Sequence, residues 1–190
     1  YIAAEAQGLI ILDITNPADT WAVGDINWDG SAFQTGLAIS GDYAYVPDGY
    51  DGLAIINITD PTNPTFVASN DTDNIAWGVA ISGDYAYVTV HDTGIDIINI
   101  TDPTNPTFAG SYETSDPWMI TISENYAYVS AHEEGLLVLN IEDPVNPTFA
   151  GSYNTATSSK ITISGNYAYA GCEEGLVILD ITDPTNPTFV

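Results

Sequence analysis

Residues 52–66 read GLAIINITDPTNPTF, and this stretch is not alone. It returns as GIDIINITDPTNPTF from Gly94, GLLVLNIEDPVNPTF from Gly135 and GLVILDITDPTNPTF from Gly175, with a looser copy, GLIILDITNPADTW, from Gly8. Successive glycines lie 44, 42, 41 and 40 residues apart, so the chain is a tandem array whose unit is one small supersecondary element. Each period holds four short runs rich in β-branched and aromatic residues, for example 35–40 (TGLAIS), 43–46 (YAYV), 53–58 (LAIINI) and 65–69 (TFVAS). No helical periodicity appears.

The turns between these runs follow from backbone chemistry. Ser-Gly-Asp-Tyr at Ser40 and Ser82, and Ser-Gly-Asn-Tyr at Ser164, suit a tight hairpin because Gly, Asn and Asp accept positive φ cheaply. The copy 123–126 reads Ser-Glu-Asn-Tyr, and its turn is expected to need a different solution. Asp-Pro-Thr-Asn-Pro, between the third and fourth runs, lacks two donors and has fixed φ, so it leaves the ladder as a rigid corner. Asp60, Asp102, Asp143 and Asp183 are expected to accept backbone N–H groups there. Four-stranded units of this size without helices predict an all-β fold, a β-propeller of four-stranded antiparallel blades, about five in number.

Ordered from inner to outer strand, the chain starts on the second strand of the first blade, at 1–4, and that blade lacks its inner strand. Residues 1–190 are therefore read as a single propeller, part of a longer chain or completed by a neighbouring subunit, with repeat units starting near Gly8, Gly52, Gly94, Gly135 and Gly175. Head-to-tail completion is heterologous and need not close, which would produce a filament.

Composition narrows the partners. One lysine stands against 26 carboxylates, for a formal net charge of −25. Such a surface repels nucleic acid and anionic membrane faces and attracts cations. With a single cysteine, Cys172, no intrachain disulfide framework can form. No apolar run reaches the roughly 18 residues of a membrane span. Sequons at Asn57, Asn70 and Asn99 permit glycosylation.

The motif LVILDITDPTNPT with its YAYV partner strand resembles the LVIVD-repeat family, over essentially the whole chain. The resemblance implies a propeller from bacterial or archaeal proteins that are usually predicted to be exported or surface-attached. It carries no catalytic residues.

Residues that differ between copies are the candidates for function. After YAYV, the aligned loop positions include Glu5, Gly49, His91 and His132, with Cys172 and Glu173 in the shortened last copy. Glu5, His91, His132 and Cys172 offer carboxylate, imidazole and thiolate donors to a divalent cation. Trp77 and Trp118 occupy equivalent positions near the start of inner strands on the same face, as does Lys160, and aromatic faces beside carboxylates suit a glycan. Glu133, Glu134, Glu173 and Glu174 lie on that face too, but no nucleophile elbow is present and no cofactor is implied. The expectation is a non-enzymatic extracellular or cell-surface structural or interaction propeller, with copies of itself or other surface proteins as partners. The alternative is a metal- or glycan-binding propeller using His91, His132, Trp77 and Trp118.

Overall fold

The computed structural model describes residues 1–3, 8–27, 36–132, 134–155, 158–172 and 175–190. Its strands fall in chain order into five antiparallel sheets. The first sheet holds β1 (Ile2–Ala3), β2 (Leu9–Asp13) and β3 (Trp21–Ile26). The second holds β4 (Ala38–Ser40), β5 (Tyr43–Pro47), β6 (Leu53–Asn57) and β7 (Thr65–Asn70), and the third β8 (Ala76–Ser82), β9 (Tyr85–Val90), β10 (Gly94–Asn99) and β11 (Thr107–Tyr112). The fourth has β12 (Pro117–Ser123), β13 (Tyr126–Ala131), β14 (Gly135–Asn140) and β15 (Thr148–Tyr153), and the fifth β16 (Ser158–Ser164), β17 (Tyr167–Cys172), β18 (Gly175–Asp180) and β19 (Thr188–Phe189). These are the blades of a β-propeller, and the first has three strands where the next four have four.

Both faces of a blade are apolar, which is why the third strand reads as a continuous run and not as an alternation. Leu53 and Ile55 on β6 pack toward the third blade, with Val79, Val88 and Ile98. On the same blade, Ala44, Val46, Ile56 and Ile58 pack back toward Leu9 and Ile11 of the first. The rule repeats between the third and fourth blades and between the fourth and fifth. Every interior junction therefore pairs one forward face with one backward face.

The corners are tied as the sequence requires. Asp60 accepts from Thr62 N at 3.0 Å and Thr62 Oγ1 at 2.7 Å, and Asp102 and Asp183 repeat the pair with Thr104 and Thr185. In the fourth blade Val145 removes the hydroxyl, and Asn146 Nδ2 donates to Asp143 Oδ2 at 2.9 Å instead. Tyr87 reaches forward from its own blade, its hydroxyl donating to Pro144 O at 3.4 Å, so blade and next corner are joined. The threonine hydroxyls first, and the backbone N–H groups second, hold the Asp60, Asp102 and Asp183 carboxyls below the ordinary value of 3.8. Folded pKa values below unfolded ones add stability that is complete above pH 3.8 and lost as pH falls through the lowered values. Circular dichroism melts are expected to show Tm falling between about pH 4 and pH 2, and Thr104→Val is expected to flatten that fall.

The hairpin at 123–126 departs from expectation. Glu124 takes φ 54°, matching the 55°, 55° and 57° of Gly41, Gly83 and Gly165, so it uses the same turn. The ladder on either side fixes the turn and the glutamate bears its strain. A left-handed L-residue costs roughly 1–2 kcal/mol, so Glu124→Gly is expected to raise stability by about 1 kcal/mol in urea denaturation.

At the two ends of the array the faces are uncovered. Ile14 is 68% exposed, whereas its equivalents Ile58, Ile100, Ile141 and Ile181 are 5–6% exposed. Leu176 is 65% exposed against 0–1% for Leu9, Leu53, Ile95 and Leu136. The first blade thus presents an unfilled backward face and the fifth an unfilled forward face.

Candidate functional site

A β-bulge opens the candidate site. In the third blade Ala76 pairs with Val90 and Gly78 with Thr89, leaving Trp77 outside the register. The fourth blade repeats this, Pro117 opposite Ala131 and Met119 opposite Ser130, with Trp118 skipped. A bulge re-aims the extra residue, and here it turns both indoles out of the ladder. Buried hydroxyls fix the geometry: Thr89 Oγ1 accepts from Gly78 N at 2.8 Å and donates to Trp118 O at 2.7 Å, while Ser130 Oγ accepts from Met119 N at 3.0 Å.

The indoles stack on one another across the blade junction, centroids 4.9 Å apart and planes 19° from parallel. His91 lies 6.4 Å from Trp77 and His132 lies 6.4 Å from Trp118, giving a row of four rings. Asp116 sits between the imidazoles, Oδ1 at 3.5 Å from His91 Nε2 and Oδ2 at 3.9 Å from His132 Nδ1. Asp92 Oδ2 lies 3.1 Å from His91 Nδ1. Backbone bonds hold the loops, His91 N donating to Ile75 O at 2.9 Å and His132 N to Asp116 O at 3.1 Å. His91, His132 and Asp116 are all partly exposed, so a ligand can reach them.

The structure thus brings together His91, His132, Trp77 and Trp118. Cys172 takes another position: it pairs with Gly175 in the ladder and packs in the cluster between the fourth and fifth blades. Glu5, Glu133, Glu173 and Glu174 lie outside the described residues. Glu134 accepts from Ser115 Oγ at 3.1 Å. Among the described residues no group of three or more His, Cys, Asp or Glu side chains is placed to hold a metal ion. Lys160 lines a space of about 190 Å³ with Gly36, Leu37, Val79 and Met119, bordered by inner strands of neighbouring blades.

The sequon asparagines also hold local structure. Asn57 and Asn99 accept through Oδ1 from the N–H two residues on, Thr59 and Thr101, each at 2.9 Å. Asp180 makes the same bond to Thr182, so the position requires an Asn or Asp whatever its glycosylation. Asn70 Nδ2 donates to Pro106 O at 3.3 Å, bridging to the next blade's corner.

Two functional candidates escaped the sequence reading. Asp116 has no counterpart of its kind in the third blade, where Ile75 stands before Ala76-Trp77. Asp96 occupies a column that is otherwise Ile10, Ala54, Leu137 and Val177, and comparing that column would have exposed it. Burial, and secondarily the Asp73 charge, push the Asp96 carboxyl above its ordinary value. A raised folded pKa makes ionised Asp96 destabilising above pH 3.8, a penalty that vanishes when both states are protonated. Asp96→Ala is therefore expected to be more stable than the parent at pH 7 and to lose that advantage at about pH 3, read from paired urea curves.

The fold is shared with solved structures. A functionally unknown protein from Desulfotomaculum acetoxidans DSM 771 superposes with a TM-score of 0.72 at 18% identity, over 89% of this chain and 58% of that one. The computationally designed Ika4 protein gives 0.63 at 9% identity, over 81% of this chain and 93% of that one. The designed Ika8 protein gives 0.56 at 11%, over 85% and 64%. This chain therefore spans less than two thirds of the Desulfotomaculum protein, and identities this low speak for fold alone. No curated protein matches the sequence. The LVIVD repeat model matches residues 1–27, 30–72, 74–114, 116–155 and 157–190 in five consecutive copies, and on that ground the chain belongs to the LVIVD repeat family.

Proposed function

We propose that the protein is a non-enzymatic extracellular or cell-surface propeller acting as a structural and interaction module, assembling with further copies of itself through its two open blade faces. One observation carries the reading: the exposed Ile14 and Leu176 belong to the backward and forward halves of a junction that is buried at the same positions inside the chain. A forward face on one copy matches a backward face on the next, as Leu136 and Val138 match Leu179 and Ile181 between the fourth and fifth blades. Burying these apolar groups is favourable by about 25 cal/mol per Å² of surface removed from water, before the costs of association. The contact is head to tail, so its product is a filament or a ring. The surface location rests on the family resemblance.

Electron microscopy of the protein, with its mass in solution, tests this reading. Filaments or rings with a propeller-sized repeat support it. A mass of one chain at all concentrations contradicts it, leaving a continuation of the same polypeptide as the occupant of those faces.

A second reading, favoured by the stacked Trp77–Trp118 pair, makes the flanking face a binding site for a divalent cation or a glycan. His91 and His132 would supply two of the cation's donors, and the aromatic row a sugar's contact surface. Titration with zinc, copper or an oligosaccharide distinguishes these, because His91→Ala with His132→Ala would abolish cation binding and leave sugar binding intact.

A further inference from the structure

Inside the chain, the forward face of one blade and the backward face of the next are kept close by the polypeptide that joins them. Two separate copies have no such tether, and each carries a net charge of −25 with one lysine to offset its carboxylates. The apolar groups of the open faces, Ile14 and Leu176 among them, attract only where surfaces touch. Repulsion between the copies reaches over a Debye length, about 30 Å in 0.01 M salt and about 3 Å in 1 M. Attraction and repulsion therefore answer differently to ionic strength. One carboxylate also stands on a joining face. Asp25 pairs with Ile10 in the ladder, on the side of the first blade away from Leu9 and Ile11, and lines a groove of about 300 Å³ there. The next three blades carry Ser69, Ser111 and Ser152 at that ladder position, so the copy on the open face adds a charge that the covered copies omit.

We infer that ionic strength switches the assembly: the head-to-tail contact forms once salt has screened the copies from one another and comes apart in dilute salt. The inference rests on the self-assembly reading and adds its control. No ion-binding site is needed, because the charge is spread over the surface and acts as a whole. Carboxylates remote from the open faces therefore contribute to the switch at low salt, and the repeats show which of them the fold can give up. Asp42 and Asp84 stand in the hairpin turns of the second and third blades, where the fourth and fifth carry Asn125 and Asn166. Glu142 follows the third strand of the fourth blade, where the other copies carry Thr15, Thr59, Thr101 and Thr182. All three are exposed and belong to blades between the two open ends. Asp42→Asn with Asp84→Asn and Glu142→Thr thus removes three negative charges, uses residues the repeat already accepts and leaves both joining faces unaltered.

The test is sedimentation velocity of the whole chain across a series of NaCl concentrations from about 0.01 M to 1 M, and in MgCl2 at matched ionic strength. Circular dichroism confirms the fold in each salt, and the comparison is made over the range in which it is native. The unmodified protein is expected to sediment as a monomer at the low end and as an assembly at the high end, with NaCl and MgCl2 acting alike. The triple variant is expected to assemble in low salt at a protein concentration at least about tenfold below that of the unmodified chain, and Asp25→Ser to lower it by a smaller factor. Assembly of the unmodified protein that is equal at both ends, or a triple variant with an unchanged salt dependence, would overturn the inference and preserve the self-assembly reading. Assembly in MgCl2 without assembly in matched NaCl would overturn it in favour of a bridging cation. A monomer in every salt would remove both the inference and the reading it rests on.

Discussion

Leu136→Ala is expected to destabilise the protein by about 2–5 kcal/mol, while Leu176→Ala, the same change at the same repeat position, is expected to cost less than about 0.5 kcal/mol in dilute protein. Leu136 is fully buried on the forward face of the fourth blade, packed with Leu179 and Ile181 of the fifth. Its truncation removes apolar contact and leaves a cavity that two facing sheets cannot readily collapse. Leu176 lies on the forward face of the fifth blade and is 65% exposed, with no sheet of the described residues against it, so truncation there opens no cavity. Paired urea curves check the difference. Equal losses at both positions would mean that the fifth blade's forward face is covered in the monomer.

Gly94→Ala is expected to cost upwards of about 2 kcal/mol, because strained φ and a backbone clash act together. Gly94 has φ 126°, and an added Cβ would lie 2.2 Å from Tyr112 O and 2.9 Å from Thr114 N. Those atoms are main chain of the neighbouring strand's end and cannot swing away as a side chain would. Gly175 provides the internal comparison: it shares φ 126° but a Cβ there meets open space among the described residues. Gly175→Ala is expected to show the conformational part alone, about 1–2 kcal/mol. The difference between the two Tm shifts isolates the steric part.

These contrasts explain how much of the molecule could be read in advance. The glycine that opens each repeat is required by positive φ, the Asx position that ends the third strand by its bond to the N–H two residues on, and the Asp-Pro corner by its missing donors. Such local requirements recur in every copy, so the tandem pattern shows them plainly. The Glu124 turn was harder to read because its residue type opposes its conformation, and only the flanking ladder decides the outcome. The bulges at Trp77 and Trp118 depend on pairing register, which alternation along one strand cannot reveal. Repeat alignment placed His91, His132 and both tryptophans on one face, yet their junction through Asp116 arises from loops of two blades. Asp96 stayed hidden because its strand is otherwise apolar, although the four other copies mark it as the exception.

The same alignment points to the open faces, for it equates Ile14 with buried isoleucines and Leu176 with buried Leu or Ile. Their matching is heterologous, so one damaged face leaves the other intact. Sedimentation of Ile14→Asp and Leu176→Asp, each alone and then mixed, tests the proposed assembly most directly. Each variant keeps one working face, so each alone is expected to sediment as a monomer, and the equimolar mixture as a discrete dimer. A mixture that stays monomeric while the unmodified protein assembles would place the contact elsewhere, and an unmodified protein that stays monomeric throughout would contradict the account.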